Sequence, residues 1–134
     1  MNNKPQQRKN QRKHKVDRDY VGRKLREIVL KCGWKILDGY GREYFVHPRD
    51  GLISAPTYGK LHILTPTPNG EGYPTVKLKG LDDEYHTESV HRIIGKVSFP
   101  DFEEKPIVHH INHDKTDNRR ENLMMVTHRE NRNM

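Results

Sequence analysis

The chain has 134 residues, the length of one small domain, with 31% hydrophobic against 32% charged residues, so two large catalytic domains are excluded and the core must be thin. Net charge is +7, and six of those charges belong to residues 1–15, where Lys4, Arg8, Lys9, Arg12, Lys13 and Lys15 stand without an acid. Cys32 is the only cysteine, which excludes internal disulfides and cysteine-pair zinc knuckles, and no apolar run approaches the roughly 18 residues of a membrane span. A soluble, cytoplasmic chain in a reducing compartment is expected, without a signal peptide.

Residues 1–18, rich in Asn, Gln, Lys and Arg, cannot bury enough apolar surface to offset the entropy of ordering. A basic arm, disordered until a partner binds, is predicted. Such an arm attracts polyanions, nucleic acid first, because phosphate contacts release counterions whatever the base sequence; a solubilising tail is the other reading. Within residues 19–33, Val21, Leu25, Ile28 and Val29 fall at i, i+4, i+7 and i+8, one apolar stripe on a helix that stops at Gly33. The other side of that helix shows Arg23, Lys24, Arg26 and Lys31, either a plain solvated face or one that meets DNA phosphates.

From Trp34 to Val90 the punctuation changes to Gly, Pro, Asp and Asn between short β-prone runs, including Tyr44–His47, Leu61–Thr65, Tyr73–Lys79 and Tyr85–Val90. A small antiparallel sheet follows, with turns at Arg49-Asp50-Gly51, Asn69-Gly70 and Leu81-Asp82-Asp83. Ser89 is placed as an N-cap, and Val90, Ile93, Ile94 and Val97 form the apolar stripe of a second helix that ends before Phe99-Pro100. Trp34 and the stripes are assigned to the core, and Cys32 is expected as a small buried hydrophobe. His47, His62, His86 and His91 are assigned to hydrogen-bonded structural positions.

The last thirty residues hold four of the nine histidines and five asparagines. Ile107–Ile111 reads as a strand, Asn112–Arg120 as a polar loop and Leu123–Val126 as a returning strand. Thr127 followed three residues later by Glu130 is a capping box that opens a short terminal helix. The chain given stops three residues after Asn131, so target reading is expected from residues 1–100 or from a partner.

This strand, loop, strand, helix order resembles the His-Asn-His (HNH) endonucleases, whose active site is a hairpin and helix around one divalent metal. His110 stands at the position of the family's general base. Asn122, twelve residues later in Glu121-Asn122-Leu123, matches the middle asparagine, and Asn131, twenty-one residues after His110, matches the metal ligand on the helix. His109 matches the other ligand, where many homing-type members carry Asp. Upstream, Trp34-Lys35-Ile36, Gly39-Tyr40, Tyr44-Phe45-Val46, Asp50-Gly51-Leu52-Ile53-Ser54, Tyr73–Leu78 and Val90-His91-Arg92-Ile93-Ile94 resemble the small module that precedes HNH domains in phage and intron-encoded nucleases, with His47 where that module usually has Ser.

The resemblance implies an α+β fold, a small antiparallel sheet with helices and a C-terminal ββα-metal motif. It divides the chain into the arm (1–18), the amphipathic helix (19–33), a β-rich DNA-contacting module with a helix (34–100) and the HNH motif (101–134). It further implies a metal-dependent endonuclease of phage or mobile-element origin that acts on double-stranded DNA, has no membrane partner and leaves 5′-phosphate and 3′-hydroxyl ends. Mg²⁺ is the first cofactor, with Mn²⁺, Ni²⁺ or Zn²⁺ as alternatives. An inactive nucleic-acid-binding module of the same fold and an RNA-directed nuclease stay open beside it, as do monomer and homodimer.

The chemistry suits these residue types. Phosphodiester hydrolysis needs a proton acceptor for water, and a neutral imidazole with an ordinary pKa of about 6.5 supplies one, the role assigned to His110. A cation held by His109 and Asn131 stabilises phosphate and leaving-oxygen charge. Neighbouring strand residues point to opposite faces, which places the base and the metal on opposite sides of the scissile phosphate. Asn122 is assigned to tie the loop and orient His110, with Asn118 as a second candidate. His113, Asp114 and His128 are assigned as loop and helix-end polar residues. The spacing His109-x-x-x-His113 imitates half a zinc-finger signature but has no cysteine pair. Phosphate contacts are assigned to Lys4, Arg8, Lys9, Arg12, Lys13, Lys15, Arg23, Lys24, Arg119 and Arg120.

Overall fold

The computed structural model describes residues 26–57 and 60–133. The basic arm, and Val21, Arg23, Lys24 and Leu25 of the first expected helix, lie outside the described residues. What is described of that helix, α1, covers residues 26–31. It ends in a paired cap: the Trp34 N–H reaches the Val29 carbonyl at 3.0 Å and the Gly33 N–H reaches the Leu30 carbonyl at 3.4 Å, with Gly33 at φ +93°.

Two expectations fail here for one reason. Val29 is 3% exposed, but Ile28 is 60% exposed and Cys32 also lies at the surface. Val29 takes the inward position, and its neighbour Ile28, about 100° further round the helix, turns outward. Cys32 acts through its backbone, its carbonyl accepting from His47 Nε2 at 2.9 Å. Arg26 is ion-paired with Glu43.

Strands β1 (Lys35–Leu37), β2 (Tyr44–His47), β3 (Leu52–Thr57) and β4 (Lys60–Ile63) form an antiparallel sheet in that order. A second antiparallel sheet contains β5 (Thr67–Pro68), β6 (Pro74–Lys79) and β7 (Tyr85–Ser89). Helix α2 (Val90–Ser98) follows, then the two-stranded hairpin β8 (Ile107–His110) and β9 (Leu123–Val126), and helix α3 (His128–Arg132). The fold is α+β, and its β material is divided among three small antiparallel sheets.

The two-stranded hairpin is too small to be stable alone, and all three sheets share one core. Tyr44, Val46 and Ile53 come from the first sheet, Val76 and Leu78 from the second, and Val108, Leu123 and Met125 from the hairpin, all joined to Val90, Ile93 and Ile94 of α2. Fully buried side chains such as Leu78 and Ile94 contribute roughly 1.5–3 kcal/mol each. Gly95 lets α2 approach the hairpin, since a Cβ there would stand 3.0 Å from Val108 Cγ2. The first two sheets are stitched by the Lys79 N–H, which donates to Tyr44 Oη at 2.7 Å, and by the Gly41 N–H, which donates to the Lys79 carbonyl at 2.8 Å.

Ser89 occupies the N-cap of α2 without making a side-chain capping bond. It is still the last residue of β7, paired with Thr75, so the strand sets its geometry. The second capping expectation holds in full: Thr127 Oγ1 accepts from the Glu130 N–H at 3.1 Å while Glu130 Oε1 accepts from the Thr127 N–H at 2.8 Å.

Candidate active site

The β8–β9 register pairs Val108 with Met125, His109 with Met124 and His110 with Leu123. Side chains alternate, so Val108, His110, Leu123 and Met125 share one face and Ile107, His109, Met124 and Val126 the other. The first face meets α2, whose Gly95 lies against Val108 and Met125. On the second face Val126 is 1% exposed although it lies outside the shared core, and α3 packs against both strands. The hairpin is therefore held between two helices, with His110 on the α2 side and His109 on the side of α3, the helix that carries Asn131.

His110 is 6% exposed, and its Nε2 lies 2.8 Å from Asn118 Oδ1, itself a buried group. An amide oxygen only accepts, so Nε2 donates, and in the neutral ring this contact selects the tautomer whose Nδ1 can accept a proton. Asn118 is held from two directions. A Cβ on Gly51, at φ +69°, would stand 2.7 Å from the Asn118 carbonyl carbon, and the Arg120 N–H donates to the Pro48 carbonyl at 2.8 Å. The β2–β3 turn thus props the loop from behind. In front, Arg119 grips Asp117 with Nε to Oδ1 at 2.8 Å and Nη2 to Oδ2 at 2.9 Å, which holds the Asp117 carboxyl far below the usual carboxylate range.

Asn122 is buried and closes the loop. Its Oδ1 accepts from the Asn112 N–H at 3.0 Å, and its Nδ2 donates to Asn112 Oδ1 at 2.8 Å and to the Asp117 carbonyl at 2.9 Å. Within the loop, Asp114 Oδ1 receives the Thr116 hydroxyl and N–H at 2.6 and 2.9 Å.

The other face is open. His109 is half-buried, its ring 5.3 Å from that of exposed His113, which adopts φ +64°. Asn131 is exposed on α3, its N–H donating to the Thr127 carbonyl at 2.9 Å. Among the described residues, no hydrogen bond occupies the side chain of either His109 or Asn131, and no cluster of three His, Cys, Asp or Glu side chains is set to hold a metal. One imidazole nitrogen and one amide oxygen, both uncommitted, fit a divalent first-row cation that keeps several waters.

The expected phosphate contacts divide. Lys4, Arg8, Lys9, Arg12, Lys13, Lys15, Arg23 and Lys24 lie outside the described residues. Arg119 is committed to Asp117 and Glu121, and Arg120 lies over the Phe99 ring at 5.5 Å. Sequence reasoning ranked Asn118 second and set His91 among the structural histidines. His91 lies 5.1 Å, ring to ring, from His110 and 5.0 Å from Tyr73. Nothing in the spacing of a strand hairpin and a helix start indicates that meeting.

Residues 88–133 match the family model of the HNH endonucleases. The chain is 37% identical over 100 residues to an HNH endonuclease of Acanthamoeba polyphaga mimivirus, an alignment covering 73% of this chain and 24% of that protein. It also superposes on a solved structure described as DNA binding and cleavage by the HNH homing endonuclease I-HmuI, with a TM-score of 0.63 and 28% identity over 75% of this chain and 55% of the other. The chain thus spans about a quarter of the curated relative and about half of the solved one.

Proposed function

With residues 88–133 an HNH endonuclease module, we propose that the chain hydrolyses phosphodiester bonds of double-stranded DNA with one divalent metal. The observation that carries this reading is the division of the hairpin: a buried, oriented imidazole on one face, and an uncommitted imidazole with a helix-borne amide toward the other.

In this mechanism His110 Nδ1 takes a proton from water as the water oxygen attacks phosphorus. The bond from phosphorus to the 3′ oxygen breaks with its electron pair going to that oxygen, which takes a proton from solvent water, leaving 5′-phosphate and 3′-hydroxyl ends. Asn118 keeps the imidazole in the competent tautomer and Asn122 keeps the loop closed around it. A divalent cation held by His109 and Asn131 would supply charge stabilisation at the phosphate and the leaving oxygen, with Mg²⁺, Mn²⁺ and the softer Ni²⁺ and Zn²⁺ all within reach of such a donor pair. Residues 34–100 are assigned to DNA contact and the six cations of residues 1–15 to phosphate attraction. If all six meet phosphates, deleting residues 1–15 flattens the salt dependence of log affinity by roughly 5.

The test is conversion of supercoiled plasmid to nicked or linear form in Mg²⁺, Mn²⁺, Ni²⁺ or EDTA, comparing the wild type with His110→Ala. Metal-dependent cutting that disappears in the variant supports the reading. Tight plasmid binding without cutting in any metal replaces it with a binding module, and cutting confined to RNA moves the substrate.

A further inference from the structure

The ring stack behind His110 belongs to no role yet assigned. Tyr73 lies in the chain between β5 and β6, His91 is the second residue of α2 and His110 ends β8. Their ring centroids are 5.0 Å apart for Tyr73 and His91, 5.1 Å for His91 and His110, and 6.0 Å for Tyr73 and His110, all tilted. These are the separations at which aromatic rings attract one another beyond simple area burial. Lys115 closes the far end, its Nζ 4.7 Å from the centre of the Tyr73 ring and 2.7 Å from the Glu71 carbonyl. Three distant segments of sequence thus converge on one imidazole.

We propose that His91, backed by Tyr73, is a positioning residue for His110, and that it works through the shape of its ring rather than through its nitrogens. This rests on His110 being the general base.

Two observations favour the ring. His91 Nδ1 is buried and has no hydrogen-bond partner among the described residues, and an orphaned buried nitrogen is what a residue selected for a hydrogen bond would not show. Burial first, then the nearby His110 and Arg92, lowers the His91 pKa to about 4, so at neutral pH the wall behind the base carries no charge. Asn118 fixes one edge of the His110 imidazole and His91 fixes a flank. With both in place, Nδ1 has one direction in which to accept a proton.

The experiment compares His91→Ala, His91→Phe and wild type in steady-state plasmid cleavage and in imidazole ¹H–¹⁵N correlation spectra of the uncut protein. Removing the ring is expected to lower kcat roughly 10- to 100-fold, as small misplacements of a reacting group do, with KM within about twofold. His91→Phe is expected to restore most of that loss. In the spectra, His110 is expected as a single Nε2–H tautomer in wild type and His91→Phe, and as an averaged signal in His91→Ala. A His91→Ala enzyme with wild-type kcat and an unchanged His110 signal overturns the proposal, and so does a His91→Phe enzyme as impaired as the alanine variant, which would return the role to a nitrogen. The spectra decide the matter even if His110→Ala cuts as well as wild type, a result that sinks the general-base reading instead.

Discussion

The two faces of the β8–β9 hairpin were built to different standards. On the α2 side, His110 is buried, bonded to Asn118, flanked by His91 and enclosed by a loop that Asn122 ties and Gly51 supports. On the other side, His109 and Asn131 carry no side-chain hydrogen bonds among the described residues, and Asn131 sits on a five-residue helix that depends on its capping box. The contrast assigns the ordering work. Protein groups fix the His110 ring, whereas on the proposed reading the alignment of His109 and Asn131 would be left to a bound cation. Preorganisation is worth most where a proton must move along one direction, and least where an ion can draw its ligands in.

The contrast is broken or sharpened by graded substitutions. The largest effect is expected from His110→Ala, which removes the base: cleavage falls by at least about 10²- to 10⁴-fold, while DNA affinity measured by fluorescence anisotropy is retained. Loss of affinity in parallel with activity would show that His110 holds substrate rather than takes a proton.

Next comes Asn122→Ala, which deletes three partly buried hydrogen bonds and frees the loop. About 2–3 kcal/mol of unfolding free energy is expected to be lost, with a fall in kcat, by urea denaturation and plasmid assay. Gly51→Ala probes the same loop from behind, forcing a Cβ toward the Asn118 backbone at a positive φ. It is expected to cost about 1–3 kcal/mol and to reduce cleavage more than its small volume suggests. An unchanged kcat would mean that the prop is dispensable.

On the open face, His109→Ala and Asn131→Ala are expected to behave differently. Each weakens cation binding by at least about tenfold in calorimetry, in the range seen when a metal site loses a supporting group, yet each changes the unfolding free energy by less than about 0.5 kcal/mol. If either destabilises the fold as much as Asn122→Ala does, the faces are not distinct. The smallest effect concerns α3. Glu130 has its carboxyl pKa lowered below the ordinary value of about 4.5, first by the hydrogen bond from the Thr127 N–H and then by nearby Lys105. A lowered folded pKa stabilises the helix fully above about 4.5, and that contribution is lost as pH falls through the depressed value. Amide shifts of residues 128–132 are expected to show this acid transition in wild type and to lose it in Glu130→Gln.

Local patterns carried much of the fold. The strand at Tyr44–His47, the strand at Leu123–Val126, the stripe of α2 and the capping box at Thr127 and Glu130 were legible because each depends on residues within one turn or one strand. The same reasoning misplaced Ile28 and Cys32. Which side of a helix faces inward is decided by the elements packed against it, and among the described residues of α1 only Val29 is buried.

The sequence by itself determined the C-terminal strand, loop, strand, helix order and the spacing of His109, His110, Asn122 and Asn131, since helix and strand periods are local properties, whereas strands such as Leu52–Thr57 and the division into three sheets were not legible in it. Tertiary structure alone decided what surrounds them. That Gly51 would prop Asn118 across about seventy residues of chain, or that Tyr73 and His91 would meet His110, follows from three small sheets closing on α2 to bury one shared core. Burial is a collective quantity, settled by the summed apolar surface of all the elements, and no window of sequence contains it.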